Sequence, residues 1–251
     1  MIRGVDVSSW QGDIKWSSVF EDGIEVAVIR STVFGTRYAP SYVDPKFTDN
    51  WNNAKEGGLR VSTYYVHRPD LDAEMQVENF LNAINGLSPD LPFVFDVELD
   101  GRGMGASAIT AHLWRCLDIF EQEQDKPIIY TGAWFWNPNI LRDDNWKQYK
   151  LWAASYTPEA RIPLDWDDWY IWQHTNKGRV AGILGNVDLN RIKPAKDDKL
   201  IFTLTQESPY YSGLGIDTRI RGTFKAGQQI RGMRAWVETN KGWVKVSNNI
   251  T

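Results

Sequence analysis

Short, continuously apolar segments alternate with helix-patterned ones along the first three-quarters of this chain, and that alternation restricts its architecture more than any other feature. Val26, Ala27, Val28 and Ile29 run without a polar break in segment 25–30, and segments 2–7, 60–66, 93–100, 127–131, 150–154, 169–173 and 187–190 also read as strands. Between them, 44–56 repeats Phe47, Trp51 and Ala54 at helical spacing and stops at Gly57-Gly58. Segment 72–85 carries Val77, Phe80, Leu81 and Ile84 on one stripe before Gly86, and 14–22 and 107–124 are further predicted helices. Strands apolar on both faces belong in parallel sheets covered by helices. Eight of them alternating with helices predict an α/β fold, a TIM-like (β/α) barrel closed on itself. The helices between the later strands look short or missing, so the barrel is expected to be irregular.

The pattern changes near Ile192. Segment 193–199 is charged, contains Pro194 and lacks apolar periodicity, which marks a linker. Beyond it, β-type runs at 201–205, 228–231, 235–238 and 243–246 are separated by Gly- and Asn-containing turns. The predicted organisation is a barrel over 1–192, a linker over 193–199 and a small all-β module over 200–251. A chain of 251 residues, 42% apolar and 24% charged, has ample material for one large and one small core. Its net charge of −4 is dispersed, which excludes a nucleic-acid stripe and a polybasic membrane anchor. No window approaches the roughly eighteen apolar residues of a membrane span, so no membrane insertion is expected. The start lacks a charged-then-apolar leader, so synthesis in the cytoplasm without a signal peptide is expected. The single Cys116 cannot form an internal disulfide, and its apolar-periodic surroundings predict a buried, inert thiol.

The chemistry concentrates in Phe93-Val94-Phe95-Asp96-Val97-Glu98-Leu99-Asp100. Alternation along a strand puts Val94, Asp96 and Glu98 on one face and Phe93, Phe95 and Val97 on the other, apolar face. Gly101, Gly103 and Gly105 follow. Two carboxylates crowded on one partly dry face cannot both ionise freely, so one stays protonated near neutral pH and can donate a proton. The competing reading leaves both in solvent at an ordinary strand end. Thirteen Trp, ten Tyr and ten Phe add a heavy aromatic load. Trp134, Trp136, Trp146, Trp152, Trp166, Trp169 and Trp172 crowd one stretch among Asp, Asn and Gln, a mixture that suits the apolar faces and hydroxyl rims of sugars. Any single ring could equally pack the interior.

Seven motifs then occur in family order over about residues 1–192. They are Asp6-Val7-Ser8-Ser9-Trp10-Gln11-Gly12, Ser62-Thr63-Tyr64-Tyr65, Asp96-Val97-Glu98, Tyr130-Thr131-Gly132, Leu151-Trp152-Ala153-Ala154-Ser155-Tyr156, Ile171-Trp172-Gln173 and Val187-Asp188-Leu189-Asn190. Together they resemble the glycoside hydrolase family 25 lysozymes, the Chalaropsis-type muramidases, whose fold is an irregular (β/α) barrel. The resemblance implies hydrolysis of the β-1,4 bond between N-acetylmuramic acid and N-acetylglucosamine in bacterial peptidoglycan. It implies Glu98 as general acid and base, Asp96 as the carboxylate that orients the substrate's acetamido group, and Asp6 and Asp188 as further cleft acids. Tyr64, Tyr130, Trp152, Tyr156 and Gln173 are the implied sugar-site residues. The chain has Tyr64-Tyr65-Val66 where the family commonly shows Tyr-His-Phe, from which altered packing rather than lost chemistry is expected. More faintly, Gly222-Thr223-Phe224-Lys225-Ala226-Gly227-Gln228 and Lys241-Gly242-Trp243-Val244-Lys245-Val246 resemble bacterial Src-homology-3-like wall-binding modules. A barrel lysozyme with such a tail implies a phage endolysin that acts on the cell wall. No metal or cofactor is expected, because His67, His112 and His174 match no zinc spacing. A metal-dependent hydrolase built on the four acids, a non-catalytic carbohydrate-binding protein and a chitinase-like glycosidase are the competing readings.

Overall fold

The structure is a computed structural model in which residues 1–33 and 42–194 are described, together with the backbone of six strands beyond residue 200. Two compact units result, Met1–Lys193 and Pro194–Thr251. In the first, eight strands close a barrel in chain order: β1 (Ile2–Val7), β2 (Val26–Val33), β3 (Arg60–Val66), β4 (Val94–Asp96), β5 (Ile128–Thr131), β6 (Leu151–Ala154), β7 (Ile171–Gly178) and β8 (Val187–Ile192). The helices are α1 (Trp16–Glu21), α2 (Phe47–Glu56), α3 (Ala73–Ile84), α4 (Ala106–Phe120) and α5 (Ala133–Asn139). At the head of α3, the Asp72 carboxylate accepts from the Met75 N–H at 2.8 Å, a side-chain cap that sets where the helix starts.

The barrel departs from the sequence reading in two places. Neighbours from β1 to β7 are parallel, but β8 runs antiparallel to both β7 and β1. Only residues 179–186 join β7 to β8, too few for a crossover helix, so the chain can only fold back as a hairpin. The second departure is the acidic strand, which ends at Asp96 rather than running on to residue 100. The Val97 N–H still donates to the Tyr130 carbonyl at 2.9 Å, after which the chain leaves the sheet and Glu98 sits in the loop. Alternation nevertheless holds through Val97, which is buried with Phe93 and Phe95 outside the barrel.

Three apolar layers account for the unbroken hydrophobic runs. Outside β3 to β6, under α3 and α4, Phe80 stacks on Phe120 at 5.5 Å and on Tyr65 at 4.9 Å and meets Phe93 and Phe95 edge-on. Outside β1 to β3, Val5, Ala27, Ile29 and Val61 lie against Trp16 and Val19 of α1 and Phe47 and Trp51 of α2. Inside, Ile2, Val26, Val28, Val94, Ile128, Ile171 and Ile192 fill the barrel. A strand in such a barrel must be apolar on both sides, which is what the sequence shows. Toward the C-terminal ends of the parallel strands, and toward the start of antiparallel β8, the inward positions turn polar: Asp6, Arg30, Tyr64, Asp96, Tyr130, Gln173 and Asn190 follow in the alternation.

The second unit is all-β. Leu200–Thr203 pairs with Gln229–Gly232, Ser208–Tyr211 with Ile220–Phe224, and Ala235–Thr239 with Gly242–Val246, each antiparallel. Ser208–Tyr211 and Ile220–Phe224 are strands beyond the four runs read from the sequence; Pro209 in the first is compatible with an edge position. Of the predicted linker, 195–199 lies outside the described residues, as do 225–228 of the predicted hairpin and Lys241. Among the described residues no helix is long and apolar enough to cross a membrane.

Gly4 shows how tightly the interior closes. A Cβ there would sit 2.7 Å from Cδ1 of Ile192 and 3.2 Å from the Val26 carbonyl oxygen. Gly4→Ala should therefore destabilise the protein by about 1–3 kcal/mol through overpacking. Ile192→Val removes the obstructing Cδ1, so it should be destabilising alone and partly restorative in the Gly4→Ala background. Denaturant unfolding of the four proteins tests this coupling, and simple additivity would contradict it.

Candidate active site

The barrel's upper end places the predicted acids in one cleft. Asp6, Tyr64, Asp96, Glu98, Tyr130, Trp152, Gln173 and Asp188 line the same cavity, though they come from seven strands and one loop spread over the whole barrel. Asp6 and Asp188 are direct cross-strand partners on β1 and β8. Asp96 ends β4, and Glu98 follows two residues later. The ninth predicted site residue, Tyr156, is half exposed beside this lining and reaches the site through its hydroxyl.

A bracket of neutral donors holds Asp6. Gln173 Nε2 donates to both of its carboxylate oxygens at 3.1 Å, and Asn190 Nδ2 donates to Oδ2 at 2.7 Å. Each amide is itself oriented. The hydroxyls of Tyr130 and Tyr156 donate to Gln173 Oε1 at 3.0 and 2.8 Å, and Trp152 Nε1 donates to Asn190 Oδ1 at 2.8 Å. Because the phenols and the indole donate, both amide oxygens must face them, and both amide nitrogens are left to face Asp6. Trp152 is buried at 2% exposure, so it forms the floor that orients Asn190.

Burial and mutual repulsion shift all four acids toward the protonated form. Asp6 is pushed up to about 8, first by burial and then by the charge of Asp188, with the amide donors pulling the other way. Asp96 lies well above the usual carboxylate range because it is buried and faces Glu98 and Asp6. Glu98 is raised by burial and then by Asp188, and Asp188 is raised by burial. One oxygen of Asp96, Oδ1, is buried with no hydrogen-bond partner among the described residues. A carboxyl group with a free, buried oxygen at the cleft is placed to accept a hydrogen bond from a bound ligand. The tyrosines are affected too: Tyr64 and Tyr130 are held well above their ordinary range by burial and by the acids, so both remain neutral donors.

Arg30 and Asn190 are site residues that were not singled out from the sequence. Arg30 donates from Nε and Nη2 to Asp44 Oδ2 at 2.9 and 2.7 Å and from Nη2 to Ser9 Oγ at 3.3 Å. Its positive charge favours ionisation of Asp96. The signal for both was the alternation that paired Asp96 with Glu98: Val28 is followed two residues later by Arg30, and Asp188 by Asn190. The tryptophan cluster, in contrast, is mostly core. Trp136, Trp146, Trp166 and Trp172 are buried outside the cleft, and their indole N–H groups donate to Asp165, Leu141, Tyr149 and Ser155. Only Trp152 of the seven lines the cleft. Its neighbours are crowded because a layer of wide, flat rings covers the outer face of β5 and β6, where helices are short.

The profile of Glycosyl hydrolases family 25 matches residues 5–183. The Escherichia coli (strain K12) protein YegX is 35% identical over 195 residues, which span 75% of this chain and 68% of YegX. Lysozyme M1 of Streptomyces globisporus is 32% identical over 206 residues, spanning 76% of this chain and 67% of that enzyme. Among solved structures, the bacterial lysozyme from Streptomyces coelicolor superposes with a TM-score of 0.70 at 27% identity, covering 78% of this chain and 93% of that one. The profile spans most of the chain and the whole set of cleft acids but Asp188, which lies just beyond it on β8. On that match, and with a closed eight-stranded barrel carrying the acids at its mouth, the chain belongs to glycosyl hydrolases family 25.

Proposed function

We propose that this chain is a lysozyme, a peptidoglycan hydrolase that cleaves the β-1,4 bond between N-acetylmuramic acid and N-acetylglucosamine in the bacterial cell wall. The observation that carries the reading is the convergence of Asp6, Asp96, Glu98 and Asp188 on one cleft whose burial keeps protons on acids. Glu98 is the general acid. It is raised above the ordinary glutamate value of about 4.3, so it holds a proton to give the leaving-group oxygen, and once deprotonated it activates water as a base. Asp96, with its unpartnered Oδ1, orients the substrate's acetamido group and stabilises the charge that develops on it. Asp6 and Asp188 set the proton affinity of this pair. Tyr64, Tyr130 and Tyr156 supply hydroxyls to the sugar, while Gln173 and Trp152 hold the bracket around Asp6.

The second unit is, on this reading, a Src-homology-3-like module that binds the wall, and the whole chain is a phage endolysin. Support comes from its all-β pairing and from the separation of the chain into two units. A module that holds the barrel on a polymeric substrate raises local concentration without altering the chemistry. Removing residues 194–251 should therefore cut lysis of intact cells by about tenfold or more while changing hydrolysis of soluble glycan fragments little. Equal loss on both substrates would count against the tethering role.

Glu98→Gln should lower turnover on purified wall by about 10²–10⁴-fold, the usual contribution of a positioned acid–base group. The same change should raise stability at pH 7. A carboxyl with a raised folded pKa binds more protons folded than unfolded, so its contribution to stability falls as pH rises through the folded pKa, and the neutral amide escapes that loss. A Tm above that of the wild-type chain at pH 7 is the expected outcome of thermal unfolding. Retained turnover would remove Glu98 from the mechanism.

The pH profile carries a signed test. Activity needs Glu98 protonated, so it is lost on the alkaline side as pH rises through the pKa of that group. Asp188 raises that pKa by its negative charge, and Asp188→Asn should move the alkaline limb of kcat/KM toward lower pH. A limb that stays in place or moves up would show that Asp188 does not act on Glu98 electrostatically.

A further inference from the structure

On the side of β3 away from the cleft, a polar knot interrupts the aromatic layer. His67, the residue after β3, is fully buried, and its Nε2 lies 3.0 Å from Nδ1 of His112 on α4. Cys116 lies one helical turn further along α4, with Sγ 3.7 Å from the same Nδ1. One ligand atom from each of the three residues falls within 4.8 Å of the others. The leucine carbonyl at position 71 fixes the tautomer. His112 Nε2 approaches Leu71 O at 2.7 Å, and a carbonyl can only accept, so the proton is on Nε2 and Nδ1 presents a bare lone pair to the other two groups. That outer hydrogen bond to a backbone carbonyl is the one a metal-bound imidazole ordinarily makes.

Two further polar atoms lie at this place. Among the described residues His67 Nδ1 is buried without a hydrogen-bond partner, and the buried Tyr65 hydroxyl meets only the Cys116 thiol. A simple histidine pair explains the 3.0 Å contact but gives no reason for Cys116 Sγ to lie against the same bare lone pair. We propose that His67, His112 and Cys116 form a binding site for a zinc-class divalent ion that clamps the end of β3 to α4. Two imidazoles and a thiolate suit zinc and reject hard ions such as magnesium and calcium. Bonds of about 2.0–2.3 Å in a tetrahedral arrangement separate ligand atoms by about 3.3–3.8 Å; the observed 3.0 and 3.7 Å lie within a few tenths of an ångström of that range, and the His67–Cys116 separation, within 4.8 Å, closes by up to about an ångström on binding. Binding displaces the Cys116 proton to solvent and moves the His67 proton from Nε2 to Nδ1, leaving the fourth position for a water near the Tyr65 hydroxyl. Burial holds the thiol up at about 12, so the empty site carries a neutral Cys116. His112 is only half buried, which gives the ion a route from the surface.

The clamp bears on the catalytic strand without touching substrate. The His67 N–H donates to the Asp96 carbonyl at 2.9 Å, so fixing His67 fixes the end of β4 as well. No zinc motif was legible because the two histidines are 45 residues apart and meet only through the fold.

Cobalt substitution tests the assignment on the full-length protein. After chelator treatment and dialysis, titration with Co²⁺ should saturate at about one equivalent and produce a thiolate-to-cobalt charge-transfer band with intense tetrahedral visible bands, both removed by added Zn²⁺. Zn²⁺ should also raise the Tm of the wild-type chain, and neither effect should survive in Cys116→Ser or His112→Ala. Near-UV circular dichroism of the metal-free variants checks that they fold; should they not, the wild-type titration alone decides. Failure of wild type to bind at micromolar Co²⁺, or a band unchanged in folded Cys116→Ser, would overturn the proposal.

Discussion

Holding acids of like charge together in a partly dry cleft is unfavourable, and the mouth of this barrel depends on doing it. Asp6 is the point on which the arrangement turns. It is deeply buried, it faces Asp188 across the β1–β8 pair, and three hydrogen bonds from Gln173 and Asn190 keep it in place. Two phenols and an indole orient those amides, so the second ring of residues decides how the first is presented. An amide turned the other way would aim an oxygen at a carboxyl group and dissolve the bracket.

The barrel explains why this concentration of charge is tolerable. Its lower interior is closed by aliphatic side chains tight enough that Gly4 has no room for a Cβ, and its outer layers are aromatic and dry. Stability resides there, and the polar rim above draws on it. Arg30 is the counterweight within the rim. Anchored by Asp44 and Ser9, it ties the loop after β1 to β2 while opposing the upward shift of Asp96.

Much of this was legible in the chain before any coordinates. Continuous apolar runs such as 26–29 report burial on both faces, and their alternation with helical stripes led to the barrel. Period-2 alternation put Asp96 and Glu98 on one side and Phe93, Phe95 and Val97 on the other, even though the ladder stops at Asp96. The direction of β8 was not legible, because a short apolar strand has no polarity of its own and only the length of its connection decides. The tryptophan cluster misled for a related reason: composition cannot separate rings that cover a sheet from rings that line a cleft, and Trp136, Trp146, Trp166 and Trp172 do the former. Tyr65 behaves as its place on the strand requires, stacking on Phe80 away from the cleft.

The central claim is that the cleft raises the proton affinity of Glu98 enough for it to act as an acid. Carbon-13 NMR titration of the glutamate side-chain carboxyls, with Glu98 assigned by its absence in Glu98→Gln, measures that property directly. The account predicts a midpoint for Glu98 displaced above the ordinary glutamate value of about 4.3, with a titration that also responds to Asp188. A midpoint at or below that ordinary value would mean that Glu98 is ionised at working pH, and the assignment of acid catalysis to it would fail.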